Sequence, residues 1–117
     1  MRFVISTVVA AFFMSSAHAF SPGEVHLTRV VCTADGIAAV VQGARLSLES
    51  VTDAITEQGE VGGCIVVMQS LPIMLLKRDV VFVDYDGDAM QVWSVGPSSG
   101  TPMAEPYFTW TAADQPI

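Results

Sequence analysis

The hydrophobic pattern changes character along the chain. Phe3 to Met14 (FVISTVVAAFFM) is an apolar run with only Ser6 and Thr7 as polar positions. Glu24 to Val31 alternates in part, with Val25, Leu27 and Val31 suited to one face of a strand. Two stretches at helical spacing follow. Ile37, Ala38, Val41 and Ala44 form the first stripe, and Leu48, Val51 and Ile55 the second, with Glu49, Asp53 and Glu57 turned to water. After Cys64 the signal becomes strand-like. Short β-rich runs cover Ile65 to Met68, Leu71 to Leu76, Val80 to Tyr85, Asp88 to Val95 and Tyr107 to Thr111.

Local signals place the boundaries. Phe20 to Gly23 (FSPG) reads as a flexible leader. Thr33 or Asp35 is placed to cap the first helix, and Ser47 or Ser50 the second, with Ser50-x-x-Asp53 as a capping box. Gly36 and Gly43 weaken the first helix by about 1 kcal/mol each relative to alanine. Gly59 is a natural helix stop, and Gly62-Gly63-Cys64 turns the chain. Pro72 argues for an edge or a strand start, and Lys77-Arg78-Asp79 for a charged turn. Asp86-Gly87 between β-rich runs predicts a hairpin with a two-residue type I′ turn. That register sets Val83 opposite Met90, Val81 opposite Val92 and, on the other face, Val80 opposite Trp93. Gly96 to Pro106 reads as a loop and Ala112 to Ile117 as a tail.

The opening segment sets the compartment. Arg2 precedes the apolar run, which is shorter than the ~18 residues a membrane span needs. Ala17-His18-Ala19 supplies the small-x-small pattern of a cleavage site. Residues 1–19 therefore read as a secretory signal, and 20–117 as a single domain of 98 residues. No cysteine stands at the cut, so a lipid anchor is not expected, and neither is a membrane span after cleavage. The expected location is the periplasm or the secreted fraction. In such a compartment Cys32 and Cys64, the only cysteines, are expected to form one disulfide. A redox dithiol is poorly matched because there is no C-x-x-C spacing. Arg2 leaves with the signal, so four basic residues face twelve acidic ones, a formal charge of −8. That excess disfavours nucleic acid and anionic membrane as partners.

Little in the chain carries chemistry. Asp84, Asp86 and Asp88 (DYDGD) offer hard oxygens of the kind Ca²⁺ takes. Counted from Asp84, however, the EF-hand glycine and glutamate places hold Ala89 and Val95, and Asp-Gly is expected of a hairpin turn anyway. No metal or cofactor is assigned. His26 is the only histidine after the signal, so a small enzyme would rest on it and nearby carboxylates, with no G-x-S-x-G elbow to support a serine nucleophile. The aromatic residues Tyr85, Trp93, Tyr107, Phe108 and Trp110 fall on the C-terminal strands. There they either fill a core or, beside acidic residues, form a surface for protein or glycan contact.

As a whole, the pattern of Cys32, Gly63-Cys64, Val92-Trp93-Ser94-Val95 and Tyr107-Phe108 resembles small secreted proteins of alphaproteobacteria and their phages. The resemblance implies compartment and disulfide and no particular activity. The closely spaced strands and late aromatic strand also look loosely like a bacterial SH3-like module. The expected fold is α+β: two N-terminal helices tied by the disulfide, packed on a small antiparallel sheet of four or five strands. The expected function is a non-catalytic binding module for an envelope or extracellular protein. Its contacts would come from Asp84, Asp86, Trp93 and Trp110 on an acidic, aromatic C-terminal surface. The alternatives are the His26 enzyme and a weak calcium module at Asp84–Asp88.

Overall fold

The computed structural model describes residues 20–101 and 105–113; the signal segment and the last four residues of the tail lie outside the described residues. The chain runs β1 (Val25–Cys32), α1 (Ala34–Leu46), α2 (Leu48–Val61), β2 (Cys64–Val83), β3 (Ala89–Pro97) and β4 (Tyr107–Ala112). All strand pairs are antiparallel, and the four strands close into a barrel in sequence order. Closure between β1 and β4 rests on the single step Cys32 against Phe108. Beside it the Thr28 and Thr109 hydroxyls lie 3.1 Å apart, and Thr109 donates to the Val30 carbonyl at 2.8 Å.

The expected arrangement of helices and disulfide is overturned. Cys32 ends β1 and Cys64 begins β2, so the bridge joins two paired strands and does not tie helix to helix. The helical pair is an excursion between consecutive strands, and the disulfide clamps its base. Thr33 continues the clamp. Its N–H and its hydroxyl both donate to the Gly63 carbonyl, at 2.8 and 3.2 Å. Its Oγ1 also accepts from the Gly36 N–H, capping α1. Ser47 caps α2 by accepting from the Ser50 N–H, so the expected Ser50–Asp53 box is displaced by one turn. The stop is Gly62, in the left-handed region at φ 85°, and not Gly59.

Gly36 and Gly43 weaken α1 as a helix but let it pack. A Cβ at Gly36 would collide with the Gly63 carbonyl oxygen, and one at Gly43 would lie 2.7 Å from the Ser50 carbonyl oxygen. The missing side chains allow α1 to touch the α2–β2 turn at one end and the start of α2 at the other.

The three runs read as separate strands after Cys64 are one strand of 20 residues. Its first part pairs with β1 and its second with β3, overlapping at Ile73 and Met74. Pro72 sits inside it, opposite Leu27. Lys77-Arg78-Asp79 does not turn the chain. The strand bends instead at register shifts, between Leu75 and Lys77 and between Arg78 and Val81. The hairpin that follows is also one residue out from the expected register, with Phe82 opposite Met90 and Val81 opposite Gln91. The cause is a three-residue loop, Tyr85 to Gly87. Asp84 N–H donates to the Asp88 carbonyl at 2.9 Å, and Gly87 sits at φ 86°. This is the type I turn and left-handed glycine of a three-residue hairpin. Downstream, Gly96 and Pro97 belong to β3 and Ala112 to β4, so the expected loop and tail are both shorter.

Two hydrophobic clusters lie on the two sides of the sheet. Val92, Phe82 and the disulfide pack beneath Ile37, Val40 and Val41 of α1, with Val51, Ile55, Phe108 and Trp110 half-buried around them. Trp93, one residue on from Val92, belongs to the other cluster with Ile73, Leu75 and Val95. The leader expected to be flexible is held on this second side. Phe20 packs on the Trp93 cluster, and Gly23 N–H donates to the Leu75 carbonyl at 2.6 Å.

Two substitutions test the base of the helical excursion. Removing the bridge with Cys32→Ala and Cys64→Ala frees a 32-residue separation. The chain-entropy estimate for such a loop is roughly 3–4 kcal/mol. The expected outcome is a melting temperature lower by more than about 10 °C. Helix propensity alone makes Gly36→Ala stabilising by about 1 kcal/mol. The contact with Gly63 makes it destabilising by about 1–3 kcal/mol. Urea denaturation decides between the two by sign, and the expected sign is a loss.

Candidate functional site

The residues expected to form one acidic, aromatic surface are dispersed. Trp93 is 1 % exposed and donates from Nε1 to the Thr111 hydroxyl at 3.0 Å, so it is an interior residue. The Arg78 guanidinium lies over the ring, 5.4 Å from its centroid. Trp110 packs half-buried on the other side of the sheet, under the helices. Asp84 is half-buried and structural. Its carboxylate accepts from the N–H groups of Asp86 and Asp88, both at 2.9 Å, which holds the hairpin loop in shape. Asp86 and Asp88 are exposed at the tip. Val92, the partner of Trp110, is four residues along β3 from Asp88, about 13 Å at strand rise. Tip and tryptophans therefore do not share a patch. Among the described residues no group of three or more His, Cys, Asp and Glu side chains is arranged to hold a metal ion.

His26 lies on β1 opposite Ile73, with its ring edge-on to Phe20 at a centroid distance of 5.1 Å. Burial lowers its pKa below the ordinary imidazole value, and the charge of Glu24 offsets part of the effect. Arg78 Nη2 donates to the Phe20 carbonyl at 2.8 Å. His26, Phe20, Arg78 and Trp93 thus form a latch that holds the leader on the barrel.

Two features absent from the sequence reading dominate the surface. The first is β2, which exposes apolar side chains on both of its faces. Ile65, Val66, Met68, Leu71, Leu76, Val80, Val81 and Val83 are all exposed, Met68 at 88 %, and Val25 and Leu27 of β1 add to them. The alternation that buries every second residue of a strand fails here, because the strand is longer than either partner and slips at three places. The exposed stretch is bounded on one side by α2. A Cβ at Gly59 would lie 3.7 Å from the Val66 side chain, which places the end of that helix beside the strand. Glu49, Asp53, Glu57 and Glu60 are exposed on α2, which has no basic residue.

The second is a groove of about 430 Å³ between α1 and the second bulge of β2. At this bulge Asp79 and Val80 together oppose the one residue Val92. Their carbonyls accept from the buried Gln91 Nε2, at 3.3 and 3.1 Å. The amide ties both residues of the bulge together and fixes it from within the sheet. No family model, curated protein or solved structure matches the chain.

The latch makes stability depend on pH with a definite sign. Because the folded pKa of His26 is lowered, protonation favours the unfolded chain. Its contribution is complete above the unfolded value of about 6.5 and is lost as pH falls from there toward the folded value. Urea midpoints at pH 7.5 and pH 5 are expected to fall for the native chain and to fall less for His26→Leu; parallel falls would remove His26 as the cause. In a Trp110→Phe background, Arg78→Ala is expected to red-shift Trp93 emission and raise its quenching by acrylamide.

Proposed function

We propose that this domain is a non-catalytic protein-binding module of the periplasm or the secreted fraction. The observation that carries the reading is the run of exposed apolar side chains along β2, from Ile65 to Val83. So many exposed apolar side chains on one strand are costly in water and are characteristic of a contact site. A disulfide, and no helix long and apolar enough to cross a membrane among the described residues, are compatible with that location. The oxidised pair at the base of the helical excursion suits a compartment in which disulfides persist.

The partner is an envelope or extracellular protein with a basic contact surface. The acidic side chains of α2 border the apolar strip without counter-charges on that helix, and the chain as a whole carries −7. Such a field raises the encounter rate with a cationic partner and repels another copy of this chain. The contact surface is therefore placed on β2 and α2. Trp93 is no part of it, and Asp84 serves the hairpin.

The test uses the oxidised domain from Phe20 onward as bait in periplasmic and culture-medium extracts. Met68→Lys with Val83→Lys, both at exposed positions, is expected to abolish capture of any specific partner while the melting temperature stays within about 3 °C. Asp86→Ala is expected to leave capture intact. A partner lost with Asp86→Ala and retained with the β2 pair would place the contact at the hairpin tip. Light scattering that finds a dimer dispersed by the β2 pair would assign the strip to self-association.

A further inference from the structure

The groove between α1 and β2 has the construction of a small-molecule site and shares only Val80 with the exposed apolar residues of β2. Its volume of about 430 Å³ falls in the range such sites occupy. One wall is a single side of α1, with Ala34, Ala38 and Arg45 recurring along it. Eleven residue steps from Ala34 to Arg45 make that wall about 16 Å long. The small side chains at Ala34 and Ala38 leave the space open, and Val92 and Phe108 form an apolar floor. The other wall is the bulge, which turns Asp79 and Val80 toward the groove. Bulges of this kind commonly re-aim side chains at sites, and the Gln91 amide holds this one from below.

The two charges in the lining select the ligand. Arg45 and Asp79 both line the groove. Neither side chain has a hydrogen bond or an ion pair among the described residues. An apolar anion placed there meets Asp79 and the acidic field of the chain. An apolar cation meets Arg45. Arg45 and Asp79 are both exposed, so an uncharged apolar molecule leaves them in water and gains nothing from either. A molecule with an apolar body, one anion and one cation satisfies both and carries no net charge.

We propose that this groove binds a small apolar zwitterion, namely an amino acid or short peptide with apolar side chains and both termini free. The α-carboxylate lies toward Arg45 and the α-ammonium toward Asp79, and the apolar side chains cover Val92 and Phe108. Arg45 offers a planar pair of donors suited to a carboxylate.

Calorimetry on the oxidised domain from Phe20 onward tests this with leucyl-leucine as the probe, against its N-acetyl form, its C-terminal amide and dodecanoate. Leucyl-leucine is expected to bind, and blocking either terminus to weaken it by about tenfold or more, one decade being about 1.4 kcal/mol. Arg45→Gln is expected to remove the penalty for amidation alone, and Asp79→Asn the penalty for acetylation alone, as a pairwise coupling requires. Ala38→Trp, at an exposed position on the helical wall, is expected to abolish binding by filling the groove. Blocked and free dipeptides binding alike would overturn the proposal. So would dodecanoate binding more tightly than the dipeptide, binding that survives Ala38→Trp, or no heat with leucyl-leucine at millimolar concentration. The Met68 and Val83 substitutions leave this binding unchanged, so loss of protein capture and loss of dipeptide binding are separable results.

Discussion

The step at which β1 hands over to the helices and β2 takes the chain back holds the molecule together. Cys32 and Cys64 are direct ladder partners and are covalently joined. One residue further, Thr33 and Gly63 continue the junction through two hydrogen bonds to one carbonyl. The whole helical excursion therefore leaves and returns at a single rung. Gly36, without a Cβ, lets the first turn of α1 rest on that junction. The direction of α1 across the sheet follows from this contact, and with it the position of the groove wall that carries Ala38 and Arg45. The buried side of α1 anchors the pair on the core, but α2 has four exposed carboxylates and no fully buried residue, so the covalent clamp adds order at the point where α2 returns to the sheet.

The second constraint is the length of β2. A strand that serves β1 with one half and β3 with the other cannot stay regular over 20 residues while the barrel closes around it. Sheet twist accumulates along it, and the bulges bend the strand and add to the local twist. Each has a consequence. The slip against β1 coincides with the most exposed apolar side chain, Met68. The slip between Arg78 and Val81 brings Asp79 and Val80 into the lining beside α1, and the Gln91 amide donates to both of their carbonyls. The two candidate binding features thus arise from one topological cause. The same barrel keeps its other interior side dry with Trp93, Leu75 and Val95, and satisfies the polar groups there through Thr111 and Thr109.

Asp84 and Trp93 show how little residue type decides about a side chain's use. Each carries a functional expectation by type alone: a carboxylate near other carboxylates, an aromatic on a strand. A carboxylate beside Asp-Gly has a local use, because its oxygens reach the N–H groups two and four residues on. A tryptophan on the third strand of a four-stranded barrel has neighbours on both sides, and its orientation depends on the register. The loop of three residues in place of two changed that register by one, and a slip of one residue transfers every side chain to the opposite face. Val81 and Val83, expected to face Val92 and Met90, are exposed, and Phe82 took the buried place.

Local chemistry determined the two helices, the caps at Thr33 and Ser47, the disulfide and the existence of a hairpin at Asp86-Gly87. In each, the interaction concerned lies within a few residues or, for a chain with two cysteines, allows one pairing. Tertiary structure decided which elements the disulfide joins, the fusion of three apolar runs into β2, the bulges, and the side of the sheet each aromatic faces. Those outcomes depend on barrel closure, on the pairing of β1 with β4 across the length of the domain, and on where a long strand yields to twist. No residue's own preference encodes such long-range geometry. The apolar strip and the groove belong to this second group, because exposure and enclosure are properties of the assembled barrel.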